Sequence, residues 1–204
     1  MPKDVPEGPK AKPPPARPAE VARDSLRANN TTTTILNNAT NYFEDVIHLK
    51  ESLLGDTLSG TAAEIRQMVG LSIRRWRNDW RLCVLLAILR EIMGGSEFLQ
   101  GTSSSALFRT YALDEMLTLF WLAVMQSYDL FLSYIVSNDL EDVCDLKPIA
   151  NGNELSRSLG AKGGPWVGKA LHMLVKWQLL HPEITDKEKA LQEMCSRKQE
   201  LGLG

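Results

Sequence analysis

The chain has 204 residues, of which 44% are hydrophobic and 24% are charged, and its formal net charge at pH 7 is −2. This length suffices for one domain or two small helical lobes with a real core, and the near-neutral charge alone says nothing about nucleic acid. Cys83, Cys144 and Cys195 are odd in number and far apart, which argues against a disulfide framework and a zinc site and suits a reducing compartment.

The N-terminal segment is expected to be a disordered leader covering residues 1–34. Seven prolines fall within the first 18 positions, together with mixed charges that cannot bury apolar surface. The polar run 29–34 continues this character, so we place the start of the folded domain near Ile35. Nothing in the leader has the apolar core of a secretory signal.

Residues 35–137 are predicted to form a helical body. Apolar spacing indicates helices over 42–54, 61–69 and 79–93, with a capping box at the second and a stop at Gly94-Gly95 for the third. A loop over 94–105 and one or two long helices over 106–136 follow. No run reaches the length of a membrane span, because the apolar stretch 82–89 is short, so we expect no membrane partner.

Residues 138–204 are predicted to form a helical tail, and the fold class is all-α because no strand pattern appears. Asn153 is expected to cap a short helix over 154–159 that ends at Gly160. A glycine-rich turn then leads to Pro165 and a helix over 166–180 that stops before Pro182.

The turn after Gly160 and the helix that follows it form the first candidate RNA-binding site. Glycines let a backbone approach a ligand closely, and a helix N-terminus presents free N–H groups to an anion. Lys169, His172 and Lys176 are spaced to share one helix face. The alternative, which spacing alone favours, is a tight turn beside a solvated basic face. The residues predicted to contact a phosphate backbone are Lys162, Gly163, Gly164, Lys169, His172 and Lys176.

A second basic stretch interleaves arginine with tryptophan. Arg74, Arg75 and Arg77 surround Trp76, and arginine both forks onto phosphate and stacks on aromatic rings. The alternative is that Trp76 and Trp80, four residues apart, anchor the core while the arginines reach solvent around them.

The sequence carries no complete catalytic or metal site. Nucleotidyl transfer requires two close carboxylates, usually as Asp-x-Asp, to hold divalent metal ions, and this pattern is absent. Asp142 and Asp145 have the wrong spacing, and Gly94–Ser96 is better explained as a helix stop. Neither a P-loop nor a GxSxG or HExxH motif occurs.

The stretch 145–183 resembles the C-terminal region of fungal CCA-adding tRNA nucleotidyltransferases. Its DLKPIANG segment, the GAKGGPW turn and the WQLLHP helix end are similar to the family pattern, with Gly163 replacing a usual proline. The less distinctive WRNDWRLCVLL stretch earlier in the chain is consistent with the family's helical body.

This resemblance implies a helical body and tail that grip the acceptor arm and elbow of tRNA through its backbone. In the full family enzyme, an N-terminal head uses Mg with CTP and ATP, and a following neck selects the nucleotide through a Glu-Asp-x-x-Arg motif. Glu44-Asp45 precede His48 where the arginine would stand, so no catalytic residue is carried over.

We therefore expect a noncatalytic tRNA-binding portion of such an enzyme, which binds no cofactor itself and has a separate catalytic head as a candidate partner. A compartment inside the cell is expected, either cytoplasm, nucleus or mitochondrion. The alternative is a helical protein-interaction module that has lost RNA binding, whose interface an exposed Trp76 or Trp121 would mark.

Overall fold

The computed structural model describes the backbone of residues 29–101 and 109–203, and also Val21; side chains are described for 29–94 and 115–203. The described residues form helices and contain no strand, which confirms the all-α prediction. Residues 1–20 and 22–28 of the predicted leader lie outside this description. The helices are α1 (Asn30–Leu54), α2 (Ala62–Trp76), α3 (Trp80–Gly101), α4 (Arg109–Ser137), α5 (Gly152–Leu159), α6 (Trp166–Leu180) and α7 (Lys187–Ser196).

Helix α1 begins at Asn30, five residues before the predicted start of the domain. The Asn29 side chain accepts a hydrogen bond from the Thr32 N–H at 2.8 Å and caps the helix. The hydroxyls of Thr33 and Thr34 each bond the carbonyl four residues earlier, which allows these threonines to remain helical. The polar composition of residues 29–34 therefore predicted a disordered segment where the helix begins.

Helix α3 continues through Gly94 to Gly101, so the predicted stop at Gly94-Gly95 and the described part of the predicted loop 94–105 are wrong. A Cβ built on Gly94 would meet nothing within 4 Å, so this glycine does not mark a tight turn. Glycine lowers helix stability only by roughly 1 kcal/mol, which the surrounding helix tolerates. The remaining part of the predicted loop, 102–105, lies outside the described residues, as do residues 106–108 of the helix predicted after it.

Helix α4 corrects the expectation that no run is long enough to span a membrane. Within the described residues, Glu115–Ser137 has the length and apolar composition that a membrane-spanning helix requires, and 22% of its most apolar stretch is buried. The stretch Glu115–Ser137 contains two acidic residues, Glu115 and Asp129, and the rest of it is largely apolar. A single such helix is weak evidence of a span, because core helices of globular proteins pass the same test.

A buried ionic cluster joins α1, α3 and α4. Lys50 on α1 is 5% exposed, and its Nζ donates to both carboxylate oxygens of Glu91 on α3 at 2.8 Å. The Tyr128 hydroxyl on α4 donates to the same carboxylate, and the Lys50 ammonium lies 4.4 Å from the centre of the Tyr128 ring. Burial and the Glu91 contact raise the pKa of Tyr128. The three helices therefore have one fixed register relative to each other.

The tail contains the predicted helices with two differences. Asn151, not Asn153, caps α5, because its side chain accepts from the N–H groups of Asn153 and Glu154. The Asn151 N–H in turn donates to the Glu154 carboxylate, which completes a capping box. Helix α7, capped by Asp186, was not predicted. Helix α6 covers Trp166–Leu180, as predicted.

Helix α6 is shared between two cores. Val175 and Leu179 pack with the body formed by α1–α4, whereas Ala170, Leu174 and Trp177 pack with α5, α7 and the C-terminal turn (Lys198–Leu201). Gly70 of α2 allows the close approach, because a Cβ there would lie 3.1 Å from Leu179 and 3.2 Å from Leu140. The position of α6 therefore depends on both cores.

We expect Lys50→Met to lower the free energy of unfolding by about 1–3 kcal/mol, because the partly buried Glu91 carboxylate loses its counter-charge. The double variant Lys50→Met/Glu91→Gln should recover much of this loss, since a neutral amide still accepts from Tyr128. Urea unfolding followed by circular dichroism measures both values. Equal losses in the single and the double variant would contradict the role of the charge pair.

Candidate nucleic-acid interface

The turn between α5 and α6 has the form that its glycines predicted. Gly160 adopts φ +64° and ψ 26°, the left-handed conformation that ends helices, and Ala161 N–H bonds the Ser156 carbonyl at 3.1 Å. The Trp166 indole donates to the Lys162 carbonyl at 2.9 Å and closes the turn. Lys162, Gly163, Gly164 and Pro165 are all exposed, so the start of α6 is open to solvent.

At the start of α6 the Val167 N–H already donates to the Gly164 carbonyl at 3.1 Å, and no side chain caps the other N–H groups of the first turn. Pro165 precedes the helix. Free N–H groups and the positive end of the helix dipole are a suitable environment for an anion. The exposed Lys162 lies three residues before Pro165 and adds a positive charge to this environment.

The structure brings three predicted contacts onto one face of α6. Lys169, His172 and Lys176 are all exposed and lie at positions i, i+3 and i+7, whereas the helix's other faces are buried in the two cores. From Lys169 to Lys176 the face extends about 10 Å along the helix. The predicted basic face therefore exists, continuous with the open helix start.

Two contacts fix the ends of this face. The Lys169 ammonium donates to the Glu200 carbonyl in the C-terminal turn, which orders that side chain. At the other end, Gln67 of α2 donates to the Lys176 carbonyl at 2.7 Å, which leaves the Lys176 ammonium at the surface. Neither contact neutralises a positive charge with a carboxylate.

Arg157 is a cation near the turn that was not singled out as a contact. It is exposed in the last turn of α5, three residues before Gly160. The signal was available, since Arg157 belongs to the stretch 147–176 that carries five basic residues and one acid, Glu154. Glu154 is engaged by Lys187 at 2.5 Å, and this bond, followed by the Asn151 N–H, lowers the pKa of Glu154.

Arg74 has an internal role that its sequence context did not suggest. Its guanidinium donates to the carbonyls of Val143 at 2.6 Å and Leu146 at 2.8 Å, with a longer contact to Cys144. These bonds satisfy the short 3-10 turn that follows α4. Arg74 therefore holds the connector against α2, and its fork is not available for phosphate in this arrangement.

The neighbouring arginines remain at the surface. Arg75 is exposed and pairs with Asp45 at 3.5 Å, and Arg77 is exposed at the end of α2 with φ +64°. Lys176 of α6 lies beside Gln67 of α2, and Gln67 is ten residues before Arg77. The two basic patches are therefore about 15 Å apart along α2. The structure does not join them into one cluster.

Both tryptophans of the arginine stretch belong to the core. Trp76 is 0% exposed and Trp80 is 3% exposed, and the Trp80 indole donates to the Glu141 carbonyl at 3.2 Å. Arg81 stacks 4.5 Å from the centre of the Trp80 ring. The tryptophans are core anchors, as the alternative expected, although Arg74 does not reach solvent beside them. Trp76 therefore cannot mark a protein interface, whereas Trp121 is 44% exposed.

The DLKPIANG segment and the end of α6 mainly form the joint between body and tail. Gln178 accepts from the Ile149 N–H at 3.0 Å and donates to the Lys147 carbonyl at 3.3 Å. Arg66 of α2 donates to the carbonyls of Asn138 at 3.0 Å and Leu179 at 2.5 Å. These bonds line a cleft of about 650 Å³ beside the end of α6.

Among the described residues, no group of three or more His, Cys, Asp or Glu side chains is arranged to hold a metal ion. Asp142 and Asp145 line the cleft beside α6 together with Asp139, without forming such a group.

Comparison with known proteins identifies the class of protein to which this chain is related. A nucleotidyltransferase, lcsQ of Purpureocillium lilacinum, is 28% identical over the whole chain, which covers 37% of that protein. The mitochondrial CCA tRNA nucleotidyltransferase of Saccharomyces cerevisiae is 40% identical over 32% of this chain and 12% of its own length. The tRNA nucleotidyltransferase cca2 of Schizosaccharomyces pombe is 19% identical over 81% of this chain and 28% of its own length.

These relatives confirm the resemblance based on the tail motif. The chain is related to the nucleotidyltransferases, and most of these relatives are fungal CCA tRNA nucleotidyltransferases. It spans between 12% and 37% of their lengths. No protein-family model and no solved structure matches the chain.

Because Arg74 satisfies carbonyls inside the joint, we expect Arg74→Met to lower the free energy of unfolding by about 1–3 kcal/mol. Arg75→Met removes only an exposed ion pair and should change it by less than about 1 kcal/mol. Urea unfolding compares the two variants directly. If Arg74→Met leaves stability unchanged, the internal role of Arg74 is wrong.

Proposed function

We propose that this chain is a noncatalytic, tRNA-binding portion of a CCA-adding tRNA nucleotidyltransferase. The α6 face with Lys169, His172 and Lys176, together with Lys162 and the amides after Gly164, contacts the phosphate backbone of the acceptor arm and elbow. The proposal is supported by the relatives, several of which are named for tRNA, and by one structural observation. That observation is the exposed basic face, continuous with a helix start that no side chain caps.

The electrostatic argument rests on local charge, since the chain as a whole is slightly acidic. Phosphates attract lysines by releasing condensed counterions, and each contact adds to the salt dependence of binding. Buried faces fix the direction of α6, so the basic face has little freedom to turn away from the RNA. Sequence-independent backbone contacts of this kind position an RNA without reading its bases.

Arg75 and Arg77 are proposed as a second, separate contact about 15 Å away along α2. Arg74 is not proposed as a direct contact, because its guanidinium donates to the carbonyls of Val143 and Leu146 in the turn after α4.

Lys176→Gln should weaken tRNA binding and reduce the slope of log K against log salt by about 0.7–0.9, because one phosphate contact is lost. Lys189→Gln on α7 is the matched control, since that lysine is also exposed and removes the same charge. Filter binding at several salt concentrations measures both slopes. Equal slopes in the two variants and the unmodified chain would contradict a contact at α6.

The chain is proposed to contribute no catalytic group to CCA addition. Purified alone, it should incorporate neither CTP nor ATP into tRNA lacking its CCA end, with Mg present. Incorporation by the isolated chain would contradict this part of the proposal. Under the proposal, a catalytic head supplied separately provides the metal-binding carboxylates and acts on tRNA that this chain holds.

A protein-interaction module without RNA binding is the second candidate function, favoured by the exposed Trp121 on α4. Two results together would favour this second function. The chain would bind tRNA no more tightly than an unstructured RNA of equal length, and Lys176→Gln would leave the affinity for tRNA unchanged. We propose a compartment inside the cell, and the mitochondrial relatives of two yeasts make the mitochondrion one candidate. No membrane partner is proposed.

A further inference from the structure

The C-terminal turn, Lys198–Leu201, packs against α6 and contacts its basic face. The Glu200 carbonyl in this turn accepts a hydrogen bond from the Lys169 ammonium. By contrast, the Lys162 and Lys176 ammonium groups form no hydrogen bond or ion pair with the described part of the chain. Among the lysines of the candidate site, therefore, only Lys169 has an ammonium group that another described segment holds.

The carbonyl that holds Lys169 lies on a turn that is anchored in the tail. Leu201 is 6% exposed and belongs to the buried cluster that α5, α6 and α7 share. Gly202 ends the turn in the left-handed conformation, with φ +75° and ψ 25°, and its N–H donates to the Gln199 carbonyl at 3.0 Å. The turn is thus fixed on both sides of the Glu200 carbonyl, which makes this carbonyl a stationary acceptor beside α6.

We infer that the C-terminal turn is a positioning element for RNA binding, because it orders the Lys169 ammonium on the basic face before RNA arrives. The inference rests on the proposed function, since Lys169 belongs to that site. A lysine side chain is among those that lose most rotamer freedom when they are fixed. The turn has already removed part of this freedom, so a phosphate that binds Lys169 orders less than one that binds Lys176.

The acceptor orders Lys169 without neutralising it. A backbone carbonyl carries no net charge, and an ammonium group has three N–H donors, so one bond to the carbonyl leaves two donors for a phosphate. The exposed carboxylate of Glu200 itself forms no ion pair with Lys169 among the described contacts. Lys187 is a contrasting case, because its ammonium pairs with the Glu154 carboxylate at 2.5 Å. Lys169 therefore keeps both its charge and its donors for an anion.

Positioning predicts that Lys169 and Lys176 differ in affinity but not in salt dependence. Lys169→Gln and Lys176→Gln each remove one phosphate contact, so both should reduce the slope of log K against log salt by about 0.7–0.9. Extrapolation to about 1 M salt removes the contribution of counterion release. There the loss of affinity should be about 2- to 10-fold larger for Lys169→Gln, because only Lys169 is ordered beforehand.

NMR spectra of the lysine ammonium groups in the full 204-residue chain test the positioning without RNA. The Lys169 ammonium should be less mobile than the Lys176 ammonium. Gly202→Val should make the two equally mobile, because valine is strained in the left-handed conformation although a Cβ there meets nothing within 4 Å. Circular dichroism verifies that the variant is folded. Equal mobility in the unmodified chain, or a Lys169 ammonium that stays ordered in Gly202→Val, would overturn the inference.

Filter binding of tRNA tests whether the positioning contributes to affinity. Gly202→Val should weaken binding by about 2- to 10-fold and leave the salt slope unchanged. The same loss should appear in a Lys176→Gln background, which is the matched control. In a Lys169→Gln background, Gly202→Val should cause no further loss, because the ammonium that the turn positions is already absent.

The outcomes separate this inference from the proposed function. If Lys169→Gln weakens tRNA binding but Gly202→Val does not, the turn has no positioning role, and the proposed RNA contact stands. A loss from Gly202→Val that persists in the Lys169→Gln background overturns the inference as well, as does tighter binding by Gly202→Val, which would show that the turn competes with RNA. If neither lysine substitution weakens binding, the proposed function fails together with the inference.

Discussion

The packing of α6 on both sides is the constraint on which the rest of the structure depends. Val175 and Leu179 are buried against the body, and Ala170, Leu174 and Trp177 are buried against the tail. A helix that is buried on two sides has only one remaining direction in which charged side chains can reach water. The basic face is therefore a consequence of the packing, and its orientation is as fixed as the two cores.

Polar contacts complete this joint. Arg66 and Arg74 of α2 together satisfy carbonyls before and within the DLKP segment and at the end of α6, and Gln178 bonds that segment through the Lys147 carbonyl. Each bond joins residues that are distant in sequence. Within the stretch 145–183 that carries the family resemblance, the DLKP segment and Gln178 thus contribute mainly to architecture, and the candidate RNA contacts lie on the exposed turn and helix of the same stretch.

The parts of the fold that could be predicted from the sequence are those with local causes. The end of α5 at Gly160, the bounds of α6 and the capping box at Thr61 follow from residues within a few positions of each other. The beginning of α1 was missed because asparagine and threonine satisfy the backbone of a helix as well as that of a loop. The length of α3 was missed because a glycine in a helix is a small cost, not a stop.

For the candidate site, sequence spacing correctly placed Lys169, His172 and Lys176 together because one helix determines their arrangement. The role of Arg74 could not be predicted in this way, because its acceptors lie 69 to 72 residues later in the chain. The burial of Trp76 and Trp80 likewise depends on helices contributed by other segments. Local patterns define a helix face, whereas the choice between a surface and an internal arginine requires the tertiary fold.

A photocrosslinking residue at position 172, in the middle of the basic face, tests the central claim most directly. The account predicts that a probe replacing His172 crosslinks to tRNA, that unlabelled tRNA competes, and that a probe replacing Lys189 on α7 crosslinks far less. Equal labelling from both positions, or none from position 172 while tRNA remains bound, would contradict the placement of RNA on α6.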